Sequence, residues 1–427
     1  MKQSPIDSLL VFSTVFISSI TFFTYPFEGY FHYLIFILYF PFFIAKYGFP
    51  KLPLQILALP LIAGVFNLIL GNNTIDLFLK IFLGMLLSTS FYYYVFLFYE
   101  MDVEMIFKLY LKGCVFTCWV GLIQLITFKI GFTPGYDYNW LLNKWGIVIS
   151  DTGSLRVNSF ITEPAQLSIL IIPAVFIAIN SLFMKKSRFL TKGESVLILV
   201  ILMNTSSSTG YIGIFVIGLL YIINYGKASN LVIGVVVLLI VGNILYSTVP
   251  EFHSRVDTSL GLWVDEDLST KNVNSSSFVL YNNFHISSEV FKTNFLTGFG
   301  LGSHKVSFDK YTITRNKLIL NVTFNKSDAN SLFLRLMSET GLIGLVFIFG
   351  LLFKCFVKRN PDNPDDHAWL ISNSVLVMLI LCLVRQGNYF LNGLPFFFWL
   401  YYYNYVKYKE RIIADPDPET PELLETA

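Results

Sequence analysis

Residues 251–277 read EFHSRVDTSLGLWVDEDLSTKNVNSSS, residues 298–305 read GFGLGSHK, and residues 311–317 read YTITRNK. They belong to the longest polar stretch of the chain, Pro250 to Asp328, in a sequence otherwise made of apolar runs broken by a few polar residues. An ordinary connection needs about a dozen residues at most. The stretch therefore reads as a large water-facing loop at a membrane surface. It leads into NSLFLRLMSETGLIG, residues 330–344, which re-enters an apolar span.

The composition requires a membrane. Of 427 residues, 54% are hydrophobic and 14% charged, with a mean hydropathy of +0.62. A soluble domain carries about 25% charged residues, so this chain has too few to cover a globule of its size. The fold class is an all-α polytopic membrane protein, with about twelve transmembrane helices and one large and one medium outward-facing loop. A net charge of +2 leaves no nucleic-acid footprint.

Cys114, Cys118, Cys355 and Cys382 all lie in apolar spans, without zinc or disulfide spacing. Cys114 and Cys118 share a helix face at i,i+4 and read as packing. The N-terminal run MKQSPIDSLLVFSTVFISSITFF has no small-x-small cleavage signal and reads as a first span.

Expected boundaries are residues 1–131 for spans one to five and 132–162 for a medium loop. Residues 163–247 hold spans six to nine, 248–329 the large loop, 330–413 spans ten to twelve, and 414–427 a disordered acidic tail. The first span runs from Ser8 to Tyr25 and the tenth from Ser331 to Val357. Trp140-Leu-Leu-Asn-Lys-Trp145 suits a short helix lying in the interface. Basic residues fall on alternate connections: Lys46/Lys51, Lys108/Lys112, Lys185 to Lys192, Lys227, Lys354 to Arg359 and Lys407 to Arg411. The positive-inside rule then puts both termini in the cytoplasm and both long loops outside.

Charges at the outward ends of spans mark the expected site: Arg156, Glu163, Arg255, Arg335, Glu339 and Arg385. A single arginine at a helix end is more often an interface anchor; four on one side point to a shared ligand. Guanidinium pairs bidentately with phosphate and keeps its proton. Arg156, Arg255, Arg335 and Arg385 therefore suit a lipid diphosphate that leaves during glycosyl transfer. Glu163, before Pro164, is the expected general base or a partner that positions Arg156; its plain role is a carboxylate at a helix N-terminus. Arg255 and Arg335 are also expected to be catalytic, as is His304, the histidine expected to titrate near neutrality and the alternative acceptor of the hydroxyl proton. His253 and His285 share its loop, but no ligand spacing supports a metal, and no cofactor is expected. Gly298-Phe-Gly300-Leu-Gly302 lacks a strand–helix setting and reads as a turn rather than a nucleotide loop. Thr205 to Gly210 reads as an interrupted helix. Loop aromatics such as Trp263 and Tyr281 suit stacking on sugar faces.

The layout, with RVNSFITEP at 156–164, the break at 205–210, GFGLG at 298–302 and NSLFLRLMSETGLIGL at 330–345, resembles the Wzy-type O-antigen polymerases and the related O-antigen ligases. The resemblance implies an inverting, metal-independent glycosyltransferase of the bacterial inner membrane. It would move a growing glycan from undecaprenyl diphosphate to a second lipid-linked repeat unit, with membrane lipids and a chain-length regulator as partners. Arg156, Arg255 and Arg335 fall where the family places outward-facing functional arginines. Ligases usually carry His-Asn after the large loop, where this chain has Asn330-Ser331, and that favours a polymerase. Ligases and many relatives also carry Ser-Arg at the middle break, where this chain has Ser207-Ser208-Thr209-Gly210. Arg156 or Arg385 would then supply the charge. The alternatives are a ligase acting on lipid A-core and a lipid-linked oligosaccharide flippase. Transporters place charges near the midplane; here Lys80 is the main one.

Overall fold

The structure, a computed structural model, describes residues 5–18, 20–23, 29–139, 146–150, 153–184, 187–226, 236, 239–240, 242–244, 246–248, 250–264, 275–313, 325–363 and 367–414. The expected interface helix at 140–145, the basic residues Lys185, Lys186 and Lys227, much of the ninth span and the tail from 415 onward lie outside them.

Helices dominate. They are α1 (Pro5–Val15), α2 (Phe31–Tyr47), α3 (Lys51–Ile69), α4 (Ile75–Phe98), α5 (Val103–Lys129), α6 (Thr133–Tyr136), α7 (Pro164–Phe183), α8 (Lys192–Asn204) and α9 (Ser208–Tyr225). After further helical residues between 236 and 248 come α10 (Pro250–Trp263), α11 (Ser275–Thr293), α12 (His304–Tyr311), α13 (Leu332–Glu339), α14 (Gly341–Lys354), α15 (Ala368–Arg385) and α16 (Leu394–Ala414). Two short antiparallel hairpins interrupt them, β1 (Thr21–Phe23) with β2 (Gly29–Tyr30) and β3 (Val148–Ile149) with β4 (Leu155–Arg156).

Among the described residues, six helices are long and apolar enough to cross a membrane: α3, α4, α5, α7, α9 and α15. Two more, α2 and α14, are apolar but shorter. The chain is a multi-pass α-helical membrane protein; among the described residues, six of the expected spans are helices of membrane-crossing length and hydropathy. The first expected span departs most. It stops at Val15 and gives way to the β1–β2 hairpin, where Thr21-Phe-Phe23 pairs with Gly29-Tyr30.

Burial sorts the spans. In α7 and α15, 78% and 83% of the apolar window is buried, against 22% in α3. Hydropathy does not set this order, since α3 and α15 share a mean of 2.0; packing does. The helix α7, PAQLSILIIPAVFIAINSLF, packs against α8, α9 and α15, while α3 lies at the lipid-facing edge. The polar residues of α15 are buried with partners: Ser372 accepts from Val357 N at 3.0 Å, and Asn373 donates to Val357 O at 3.0 Å. Buried aromatics of α4 and α16 close the other flank, with Phe96 stacked on Tyr403 and Tyr92 edge-on to Phe396.

Candidate functional site

The expected tenth span is two helices. α13 ends at Glu339, Gly341 takes φ +60°, and α14 begins. The GFGLG turn makes the break. At the end of α13, Phe299 N donates to Ser338 O and Gly300 N to Glu339 O, each at 2.9 Å. At the start of α14, Leu342 N donates to Phe295 O at 2.9 Å and Ile343 N to Leu296 O at 3.2 Å. Helix ends leave carbonyls and amides without partners, and the loop satisfies both sets. Gly298 has φ +58°, and a Cβ there would lie 2.5 Å from Ser338 O. The turn is held from its far side by Asn73, whose Nδ2 donates to Leu301 O at 2.7 Å.

A buried polar cluster forms behind this junction. Arg335 is 3% exposed and Glu339 is 1% exposed, so both charges are out of water. Arg335 Nε donates to Glu339 Oε1 at 2.9 Å, and Nη1 to Gly387 O at 2.8 Å. The Tyr389 ring lies 4.1 Å from the guanidinium carbon, and its hydroxyl donates to Glu339 Oε2 at 2.9 Å. Burial, then the adjacent Glu339 carboxylate, holds the Tyr389 hydroxyl well above its ordinary range, so it stays a donor.

His304 sits against the same helix. Its Nδ1 is 2.9 Å from Ser338 Oγ and its Nε2 is 2.9 Å from Asn283 Oδ1. The Asn283 amide nitrogen is committed to Val279 O at 2.9 Å. A neutral imidazole therefore donates from Nε2 to Asn283, and its Nδ1 faces the Ser338 hydroxyl, which also lies 3.1 Å from Arg335 O. Burial, then the positive charge of Arg335, pushes His304 down to about 3. The expectation that His304 titrates near neutrality is corrected on this point: it is a buried neutral group fixing α12 to α11 and α13.

A cavity of about 600 Å³ lies between α9, α10, α11, α13, α14 and α15. Its walls are apolar, with Trp263, Phe284, Phe333, Phe349, Phe353 and Phe356 among them. The one polar wall residue, Ser331, uses its hydroxyl on Leu383 O at 2.6 Å. Wall positions on α15 run from Leu376 to Val384, about 12 Å at 1.5 Å per residue. Arg385 is the next residue. It is half-buried, and its Nη1 reaches Ser276 O at 3.4 Å, one turn before the wall residue Leu280 on α11. Arg385 is thus next to the wall in sequence without lining it, and its guanidinium is held on α11. Trp263, expected to stack on sugars, lines this chamber and meets Tyr281 edge-on at 5.1 Å.

The medium loop builds the other half. Arg156, on β4, is half-buried and donates from Nε to Thr205 O at 3.3 Å, at the break between α8 and α9. Val157 N donates to Asn204 O at 2.9 Å. Gln124 of α5 pins the next residues, accepting from Asn158 N at 3.2 Å and Ser159 N at 2.8 Å. The chain then reaches Glu163, half-buried at the N-cap of α7, where the helix dipole favours a carboxylate. Asn392 joins the halves: its Nδ2 donates to Gln166 O at 3.4 Å.

Of the expected residues, Arg335 and His304 share one buried cluster, Arg385 follows the cavity wall in sequence, and Arg156 and Glu163 flank the segment that enters α7. Arg255 lies on α10, and its side chain is outside the described residues. Glu339 was expected beside Arg335; Asn283, Ser338 and Tyr389 complete the buried cluster without having been expected in it. The i,i+4 spacing of Arg335 and Glu339 was a usable signal; Tyr389 had none. Among the described residues, no group of three or more His, Cys, Asp or Glu is placed to hold a metal ion. Residues 195–349, from α8 through most of α14, match the family model described as O-antigen ligase, Wzy_C. No curated protein matches the chain.

Proposed function

We propose that this chain, whose residues 195–349 carry the domain of the O-antigen ligase and polymerase family, is a polymerase. It lengthens a surface polysaccharide at the outer face of the bacterial inner membrane. The family acts on lipid-linked glycans, and the donor proposed here is a glycan on undecaprenyl diphosphate. One observation carries the reading: the half-buried Arg385 directly follows Val384, the last residue of its helix to line an apolar cavity of about 600 Å³. A polyprenyl chain belongs in the apolar part, and its diphosphate at the guanidinium.

The chemistry follows from the two halves of the site. The acceptor is the terminal sugar of a second lipid-linked unit. Glu163 takes the proton of its attacking hydroxyl as the oxygen bonds to the donor anomeric carbon. The bond from that carbon to the diphosphate breaks, and the electron pair leaves on the phosphate oxygen. Arg385 and Arg156 offset the departing charge, aided by the low dielectric around them. Attack opposite the leaving group inverts the anomeric centre. Arg255, at the start of the large loop, is a third diphosphate contact in this reading.

A ligase that transfers finished polymer to lipid A-core is the second reading, favoured by the description of the matching family model. Deleting the gene in its own bacterium and resolving surface lipopolysaccharide on gels separates the two. A core bearing one repeat unit, with the ladder lost and unrestored by Arg385→Ala, supports the polymerase. A bare core with accumulating lipid-linked polymer supports the ligase. An unchanged ladder, or single units trapped on the cytoplasmic face, defeats both.

A further inference from the structure

The connection from α15 to α16 is tied down by groups outside itself. Gly387 O accepts from Arg335 Nη1 at 2.8 Å. Tyr389 places its hydroxyl on Glu339 Oε2 at 2.9 Å and its ring against Arg335. Asn392 donates to Gln166 O. The segment's own side chains are divided over this conformation: Asn388 Oδ1 supports it, accepting from Phe390 N at 2.9 Å and Leu391 N at 3.2 Å, while two others are left unsatisfied. Asn392 is held at φ +53°, and its buried Oδ1 has no hydrogen-bond partner. The Gln386 Nε2, also buried, has none either. Buried unsatisfied polar atoms cost stability, and the external ties offset that cost. A Cβ at Gly387 would run into the Asp328 carbonyl, so the approach is close as well as fixed. The segment starts beside Arg385, next in sequence to the cavity wall, and ends against Gln166, in the first turn of the helix that Glu163 caps.

We propose that Tyr389 and Glu339 are positioning residues for the transfer, locking Arg335 so that it sets the segment 386–393 and, through it, the register of Arg385 against Glu163. The inference rests on the reading of this region as a glycan-transfer site. Three independent constraints fix the guanidinium: a carboxylate at Nε, a carbonyl at Nη1 and a ring on its face. Lysine offers no planar fork to meet all three. Arg335, buried and so engaged, acts on geometry, and Arg385 meets the donor.

The test uses the full chain in proteoliposomes, comparing wild type with Tyr389→Phe, Glu339→Gln and Arg335→Lys. Amide hydrogen exchange comes first, because it needs no activity. Exchange should rise about tenfold or more across 386–393 while α7 and α15 keep their protection. Transfer from an undecaprenyl-diphosphate-linked oligosaccharide comes second. A misplacement near 1 Å costs up to about 10²-fold in rate, so kcat should fall about 10- to 100-fold. Donor KM should stay within about threefold, whereas Arg385→Ala raises it.

Unchanged exchange at 386–393 overturns the clamp whatever the activity. A raised donor KM at constant kcat in Arg335→Lys makes Arg335 a donor contact and overturns the positioning role. Loss of protection throughout the chain reduces the cluster to structural support. Loosening confined to 386–393, in a protein whose wild type transfers nothing, leaves the clamp standing and removes the transfer reading beneath it.

Discussion

Replacing Arg335 by methionine should destabilise the protein by about 3–5 kcal/mol, the range for breaking a buried ion pair by removing one partner. The structure supports the upper part of that range. The Glu339 side chain is fully buried, and without the guanidinium its charge keeps only the Tyr389 hydroxyl. Gly387 O loses its Arg335 bond in the same step. Removing both charges together, as Arg335→Met with Glu339→Leu, should recover most of the loss and return to within about 2 kcal/mol of wild type, because no charge is then stranded. The assay is equilibrium unfolding of the purified protein in mixed micelles with increasing SDS, for wild type, each single variant and the double variant. Coupling shows as a double-variant loss well below the sum of the singles. A loss under about 0.5 kcal/mol for Arg335→Met, or strict additivity, would refute the reasoning that places these charges in one desolvated pair.

Three further outcomes follow from the same geometry. His304 is neutral when folded, with its pKa at about 3, and takes a proton near pH 6.5 once unfolded. Its contribution to stability is therefore complete above pH 6.5 and is lost as pH falls toward 3, at up to about 1.4 kcal/mol per pH unit. His304→Gln should remove that slope from the unfolding free energy, and parallel slopes would contradict the burial argument. Gly298→Ala combines a left-handed backbone with a Cβ 2.5 Å from Ser338 O and should cost about 2–4 kcal/mol in the same assay; a neutral result would show that the turn does not cap α13. Ile380→Trp places a larger ring in the apolar cavity and should raise KM for an undecaprenyl donor more than for a short-chain analogue. Equal effects on the two donors would separate the cavity from the lipid.

The membrane-embedded helical fold was legible because few charges and repeated apolar runs admit little else. The centrality of α7 and α15 was not legible, since α3 has the same mean hydropathy as α15, 2.0, and is 22% buried against 83%. The first span was misjudged because Ser18 to Tyr25 is apolar enough for a helix, yet Thr21, Phe22 and Phe23 are also good strand residues, and pairing with Gly29–Tyr30 decides between them. The break at Thr340 was hidden in LMSETGLIGL, which continues as one apolar helix by its own pattern. Its cause lies about forty residues earlier, where the Phe299 and Gly300 amides cap the end of α13 and the Phe295 and Leu296 carbonyls cap the start of α14. His304 was misread for the same reason. A histidine in a polar loop looks exposed until α11 and α13 close over it, and loop composition carries no sign of that packing. Which of the expected arginines would be covered was not legible. Arg335 is sealed against Glu339 and Tyr389, and Arg385 is half-buried beside α11, because helix packing rather than local sequence decides which guanidinium is covered.

The central claim is that this chain joins one lipid-linked glycan to another at a site bounded by Arg385 and Glu163. The most direct measurement is incubation of the purified full-length protein in liposomes with a single undecaprenyl-diphosphate-linked repeat unit, followed by mass analysis of the lipid-linked products. The account predicts dimers and longer oligomers with release of undecaprenyl diphosphate, and loss of both with Glu163→Gln. Unchanged single units in the wild-type reaction, or full oligomer formation by Glu163→Gln, would contradict it.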